Sequence, residues 1–212
     1  MKDNLDVNID GHVKIWNPES GEIFVDQHNA INAETMSMLI ASALSSPTSS
    51  YIYEMHFGNG GVVVDETGLI TYKDVATNLE SGTLAGLFNP TYYKIIDKTE
   101  TYINNPDPTL NKIDDPIHSP GLNYTDLKIT CTLNKEEPTS DGIFNLTNFT
   151  QEQMDTASSY NGQFIFNELG LKSKGLNGGN TGNLLSHIVF HPVQKSANRV
   201  IQVIYTLRIR IA

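Results

Sequence analysis

His187 and His191 stand four residues apart, a spacing that on a helix brings two imidazoles to one face and lets them share a zinc ion. The zinc-protease pattern also requires a glutamate directly after the first histidine to polarise the metal-bound water, and here that position is Ile188. The run Ser186-His187-Ile188-Val189-Phe190 has β-branched strand character. In a strand, residues four apart share a face but stand too far apart for easy joint ligation. Both side chains are therefore read as half-exposed strand histidines. Asp107, Asp114 and Asp115 offer hard oxygen ligands for calcium, but their spacing does not follow the EF-hand ladder and they fall in a proline-rich segment. Glu136, Glu137 and Asp141 have the residue types of an acid and base pair, yet they crowd around Pro138 as an exposed turn does, with no apolar pocket nearby to raise a carboxyl pKa.

The stretch from Lys172 to Gly182 has a glycine-rich look but not the G-x-x-x-x-G-K-[ST] order in which amides cradle a phosphate, so it reads as a hairpin tip. No G-x-S-x-G elbow exposes a serine. Cys131, the single cysteine, lies in a strand-like run and reads as buried packing. Trp16, Tyr51, Tyr53, Tyr92 and Tyr93 have rings on which sugars stack, but aromatics in strands ordinarily pack the core or the sheet face. No catalytic, cofactor-binding or metal-ligating residue is assigned, and no cofactor is expected.

The elements that would position such groups are mostly strands. Val13 and Ile15, the turn residues Asn17-Pro18-Glu19-Ser20-Gly21, then Ile23 and Val25 spell a hairpin. Met36, Leu39, Ile40, Ala43 and Leu44 recur at helical spacing, which predicts an amphipathic helix over about 32–46, with Asn32 as N-cap, Ile31 stapled on Met36 and Pro47 as the stop. Strand-like runs follow at 51–57, 62–64, 69–72, 92–96 and 127–133, the last with Ile129, Cys131 and Leu133 on one face. Pro106, Pro108, Pro116 and Pro120 predict a long loop over about 98–124, and a second polar loop over about 135–161 includes one helical turn near 151–157. Phe164 and Phe166 lead into another strand, 184–190 forms one ended by Pro192, and the C-terminal run alternates Ile201, Val203, Tyr205, Leu207, Ile209 and Ile211 against polar neighbours. At about 3.3 Å per residue that run spans roughly 35 Å, long enough to be the spine of a sheet or to reach a neighbouring subunit. The expected fold is mainly β, an antiparallel β-sandwich in one domain over 1–212, with one N-terminal amphipathic helix and long loops.

Bulk properties exclude several partners. A formal net charge of −10 repels phosphate backbones and anionic membrane surfaces, so neither nucleic acid nor membrane is expected. The N-terminal residues lack the apolar stretch of a secretory signal and no 18-residue apolar run follows, which predicts a protein made in a cytoplasm; the Asn-X-Thr triplets at Asn123, Asn145 and Asn148 are then chance.

The order of segments resembles a known group. Gly11-His12-Val13-Lys14-Ile15, Gly21-Glu22-Ile23-Phe24-Val25-Asp26, His28-Asn29-Ala30-Ile31, the helix with Glu34 and Met36, and Ile52-Tyr53-Glu54-Met55-His56-Phe57-Gly58-Asn59-Gly60-Gly61 are similar to the opening of structural proteins of tailed bacteriophages, notably contractile-tailed phages of marine bacteria. At the other end, Phe166-Asn167-Glu168-Leu169-Gly170-Leu171, then Leu184 to Ser196, then Ile204-Tyr205-Thr206-Leu207-Arg208-Ile209 resemble the ending of many such virion proteins, with Lys172 where many relatives carry Phe. Residues 100 to 160 lie outside the resemblance. It implies a non-enzymatic virion structural protein made in the bacterial host cytoplasm, a ring-like homo-oligomer contacting other virion proteins in the neck, collar or tail. The alternative is a fibre-adaptor, baseplate or capsid-decoration protein that binds capsid or host-surface glycan.

Overall fold

The computed structural model describes residues 6–45, 51–79, 85–97, 107–135, 137, 158–159, 163–175, 181–196 and 198–212. In chain order its elements are β1 (Val7–Trp16), β2 (Ile23–His28), β3 (Ala30–Ile31), α1 (Ala33–Ser45), β4 (Ile52–Gly58), β5 (Val62–Val64), β6 (Ile70–Tyr72), α2 (Ala76–Leu79), β7 (Pro90–Ile95), β8 (Lys112–Ile113), β9 (Ile117–His118), β10 (Tyr124–Leu133), β11 (Ser158–Ser159), β12 (Gln163–Ser173), β13 (Leu184–Ser196) and β14 (Ile201–Ile211). One antiparallel sheet runs β2-β1-β14-β10-β8, with β9 also on β10. The other runs β3-β13-β12-β4-β7, with β11 also on β12. Val13, Ile15 and Val25, with Ile129, Cys131 and Leu133 and with Val203, Tyr205 and Leu207, face Met55, Phe57, Phe166, Leu169 and Leu171 in one buried cluster. The fold is therefore mainly β, built as a sandwich whose two inner faces supply the core.

The C-terminal alternation is realised as β14, whose Ile201, Val203, Tyr205 and Leu207 are buried. It lies between β1 and β10 and is paired along its length on both sides, so it is the spine of its sheet and has no free edge to lend a neighbour. The first hairpin forms as expected, with a register shift between Ile15 and Trp16: Val25 pairs with Ile15 inside, while Ile23 pairs with Trp16 and is 51% exposed. Helix α1 starts as expected, with Asn32 Oδ1 accepting from Thr35 N at 3.2 Å. Thr35 Oγ1 donates to Leu184 O and ties the helix to β13.

Three expectations shift. Strand β13 does not stop at Pro192 but continues to Ser196. The pairing with β12 is irregular between Phe166 and Glu168, opposite residues 190–192, and a bulge there spares the ladder the donor that proline lacks. The proline-rich segment carries two-residue strands, β8 and β9, that edge β10, and β10 itself begins at Tyr124. Residues 151–157, with the expected helical turn, lie outside the described residues, as does most of the second loop; Ser158–Ser159 at its end pair with β12.

Candidate functional site

Strand β4 is buried at every position, which a two-layer sandwich does not by itself explain. Alternation sends Met55 and Phe57 into the core and turns Glu54, His56 and Gly58 to the opposite face. Register places Gly170 of β12 directly beside His56 on one side and His187 on the other. The chain between β4 and β7 folds back over this face: a Cβ at Gly170 would lie 2.7 Å from Leu184 Cδ1, 2.8 Å from Ser186 O and 3.1 Å from Leu87 Cδ2. The Phe88 ring stands 5.3 Å from that of His187. A layer of ionisable side chains, Glu54, His56, Glu168 and His187, is thereby sealed inside the molecule.

Glu168 is the centre of this layer. Its Oε1 accepts from Gly60 N at 2.9 Å and Asn89 N at 2.8 Å, and its Oε2 accepts from Phe88 N at 2.9 Å. Oε2 also lies 2.9 Å from His187 Nε2, with both side chains fully buried. The neighbouring Asn167 adds two bonds, accepting from Gly61 N at 2.8 Å and donating to Asn59 O at 2.8 Å. Burial alone would push the Glu168 carboxyl up, but the bonds from His187, Asn89 and Phe88 together hold it below the ordinary carboxylate range. An ionised Glu168 can only accept, so the proton between Glu168 Oε2 and His187 Nε2 lies on the imidazole nitrogen. His187 Nδ1 is buried and has no hydrogen-bond partner among the described residues.

Glu54 and His56 form the second pair, 2.8 Å apart with side chains about as buried. Burial lowers the His56 pKa by more than the bond to Glu54 raises it, and Lys172 lowers it further, so the ring is held neutral below the ordinary imidazole value. It stacks on Tyr93 with centroids 5.5 Å apart.

A carboxylate-backed imidazole is the arrangement of a general base. Here the carboxylate is engaged by three backbone amides, and what the pair visibly does is clasp both ends of the 59–89 excursion onto the sheet. Beside it lies a cleft of about 230 Å³ lined by Asn29, Tyr72, Lys73, Asp74 and Val75, with His187 among its walls. A second hollow of about 310 Å³, which has His191 in its lining, shares Gln27, Tyr72 and Val189 with it.

The residues singled out from sequence are not brought together. His187 is fully buried rather than half-exposed, because the excursion covers its face of the sheet; His191 is exposed, with Nδ1 3.3 Å from Tyr72 Oη. Asp107 accepts from Thr109 N at 2.9 Å in its own turn and Asp114 pairs with Lys112 at 2.8 Å. Among the described residues no three His, Cys, Asp or Glu side chains are placed to share a metal ion. Glu137 corrects the exposed-turn reading: it is nearly buried, holding Lys94 Nζ at 2.8 Å and Asn134 N at 2.7 Å; Glu136 and Asp141 lie outside the described residues. The segment from Lys172 to Gly182 joins β12 to β13, with residues 176–180 outside the described part. Cys131 is buried. Tyr53 and Tyr92 are buried, Trp16 donates to Gln202 Oε1 at 3.2 Å and Tyr51 Oη accepts from Lys174 Nζ at 2.9 Å, all packing roles.

Sequence reasoning passed over Glu54, His56 and Glu168. The available signal was three charged or ionisable residues inside otherwise apolar strand runs, which a buried strand tolerates only when they are paired. Comparisons with protein-family models, with curated proteins and with solved structures find no match to this chain.

Proposed function

We propose that this chain is a non-enzymatic structural protein of a tailed-phage particle, assembling with copies of itself in the neck, collar or tail region. The resemblance at the two ends of the sequence suggests the particle, and one structural observation supports self-assembly. Val7 and Ile211 are directly paired at the end of the β1–β14 ladder, yet their side chains are 57% and 47% exposed. Beside them, between α1 and β1, opens a hollow of about 510 Å³ to which Ile9, Ile31, Met36 and Ile40 contribute. Apolar surface that a sandwich leaves at one end, next to a concavity, is the kind that subunit contacts cover. In a ring the contact is head-to-tail, so one copy's strand ends would meet a different surface of the next. The net charge of −10 fits contacts with protein rather than with packaged nucleic acid.

The test is mass and symmetry by light scattering and negative-stain imaging. A closed ring of many copies that Val7→Asp and Ile211→Asp reduce to monomers supports the reading. A trimer favours the fibre-adaptor or decoration role, and wild type that stays monomeric alone and in the presence of portal and tail proteins defeats it.

A further inference from the structure

The first hairpin carries two histidines face to face. His12 of β1 is paired in register with His28 of β2. Gly11 O accepts from Asn29 N at 3.1 Å, which makes the neighbouring register position a hydrogen-bonded pair. His12 and His28 are therefore a pair of the other kind, with no ladder bonds between them, and such pairs bring their side chains closest together. Alternation sends Val13 and Ile15 into the core and turns His12, Asp26 and His28 to the outer face of the sheet. The two imidazole centroids lie 5.3 Å apart with their planes at 78°. Asp26 Oδ1 stands 2.9 Å from His12 Nε2, and water reaches all three side chains, His12 and Asp26 being 41% and 50% exposed. Among the described residues no hydrogen bond engages His12 Nδ1 or either ring nitrogen of His28, and β2 is the edge strand of its sheet.

We propose that His12 and His28 form a two-histidine site for a divalent transition-metal ion of the zinc, nickel and copper class, which ties the edge strand β2 to β1. Two nitrogens held at about 2.0–2.1 Å from one tetrahedral ion are about 3.3 Å apart. Rings centred 5.3 Å apart on exposed side chains can each turn one nitrogen to that separation. His12 binds through Nδ1, His28 through one ring nitrogen, and solvent fills the remaining positions. Asp26 is not a ligand, which agrees with the absence of three metal-binding side chains around any one point among the described residues. It holds His12 at the far nitrogen, where a carboxylate behind a ligating imidazole fixes the ring and raises its basicity. Imidazole ligands favour this class of ion over magnesium or calcium, which take oxygen. The ion displaces whatever proton a ligating nitrogen carries, so the site requires no particular resting protonation state. This goes beyond the assembly reading and does not depend on it, since the site and the Val7–Ile211 surface share no residue.

The experiment is titration of the full chain, free of any affinity tag, with copper(II) chloride, followed by pulsed electron paramagnetic resonance, which counts the imidazoles on the ion. The expected result is one tight copper site per chain with two imidazole nitrogens. His12→Gln and His28→Gln should each leave a single imidazole and weaken binding by about 100-fold, because the second ligand no longer binds intramolecularly. Asp26→Asn separates orienting from ligating: both imidazoles should remain while affinity falls by about ten-fold. His118→Gln and His191→Gln, at exposed positions elsewhere, should change neither affinity nor spectrum. All of these substitutions fall on accessible side chains outside the core, where the fold tolerates them. A single imidazole on copper in wild type, binding that survives His28→Gln at full strength, or equal weakening by His118→Gln or His191→Gln overturns the proposal.

Discussion

Lys94 Nζ lies 2.8 Å from both carboxylate oxygens of Glu137 and 2.8 Å from Thr132 O. The lysine sits on the core side of β7, opposite Met55, and its ammonium is fully buried, so this ion pair ties the edge of one sheet to β10 of the other. Removing one partner strands the other charge away from water. Glu137→Ala should therefore cost about 3–5 kcal/mol in urea titrations, whereas Lys94→Met combined with Glu137→Met should recover most of that loss. Equal cost for the single and double variants would show that packing, not charge, dominates there.

Glu168→Gln keeps the shape of the clasp but replaces a charged acceptor with an amide that brings two donors toward backbone donors. A loss of about 1.5–3 kcal/mol is expected, with the amides of Gly60, Phe88 and Asn89 exchanging faster than those of β1 and β14. Uniform acceleration across the chain would contradict the local role.

Stability should fall with acid before the carboxylates titrate. His56 has a folded pKa below the ordinary 6.5, so below that pH the unfolded chain binds a proton that the folded chain refuses. The stability contribution is complete above pH 6.5 and shrinks as pH drops, by up to about 1.4 kcal/mol per unit, until the folded pKa is reached. Glu168, also held below its ordinary 4.5, adds a further loss only in more acidic solution. Thermal melts from pH 8 to pH 5 should show this decline in wild type and a flatter profile in His56→Gln.

Burial pushes the Cys131 thiol up to about 12, so almost no thiolate is present near neutrality. Iodoacetamide should leave Cys131 intact in the native protein and modify it promptly in denaturant. Native labelling at the rate of a free thiol would place the residue outside the core.

Much of the sandwich was legible because its signals are local. Alternation over 201–211 identifies β14, and Asn32 before a helical period identifies the start of α1. The misreadings have one physical source, partners distant in sequence. Pro192 reads as a terminator until Asn167, far upstream, bulges opposite it. Glu137 reads as a solvated turn until Lys94 reaches it from β7. His187 reads as half-exposed because nothing near it in sequence announces that Phe88 will cover it. The candidate site was illegible for the same reason: Glu168 draws its donors from Gly60, Phe88 and Asn89, and no short window contains them.

Strands β4 and β7 are hydrogen-bonded neighbours, Phe57 opposite Tyr92, so the whole 59–89 excursion is topologically the loop of an ordinary hairpin. Such a loop is a cassette. The sandwich could accept a shorter or wholly different one at no cost to strand order, provided that the replacement also delivers three amides to Glu168 or that Glu168 changes with it. Diversification at this position is thus gated by a single buried acid: variants that swap the loop alone inherit an unsatisfied charge, and those that swap loop and acid together do not.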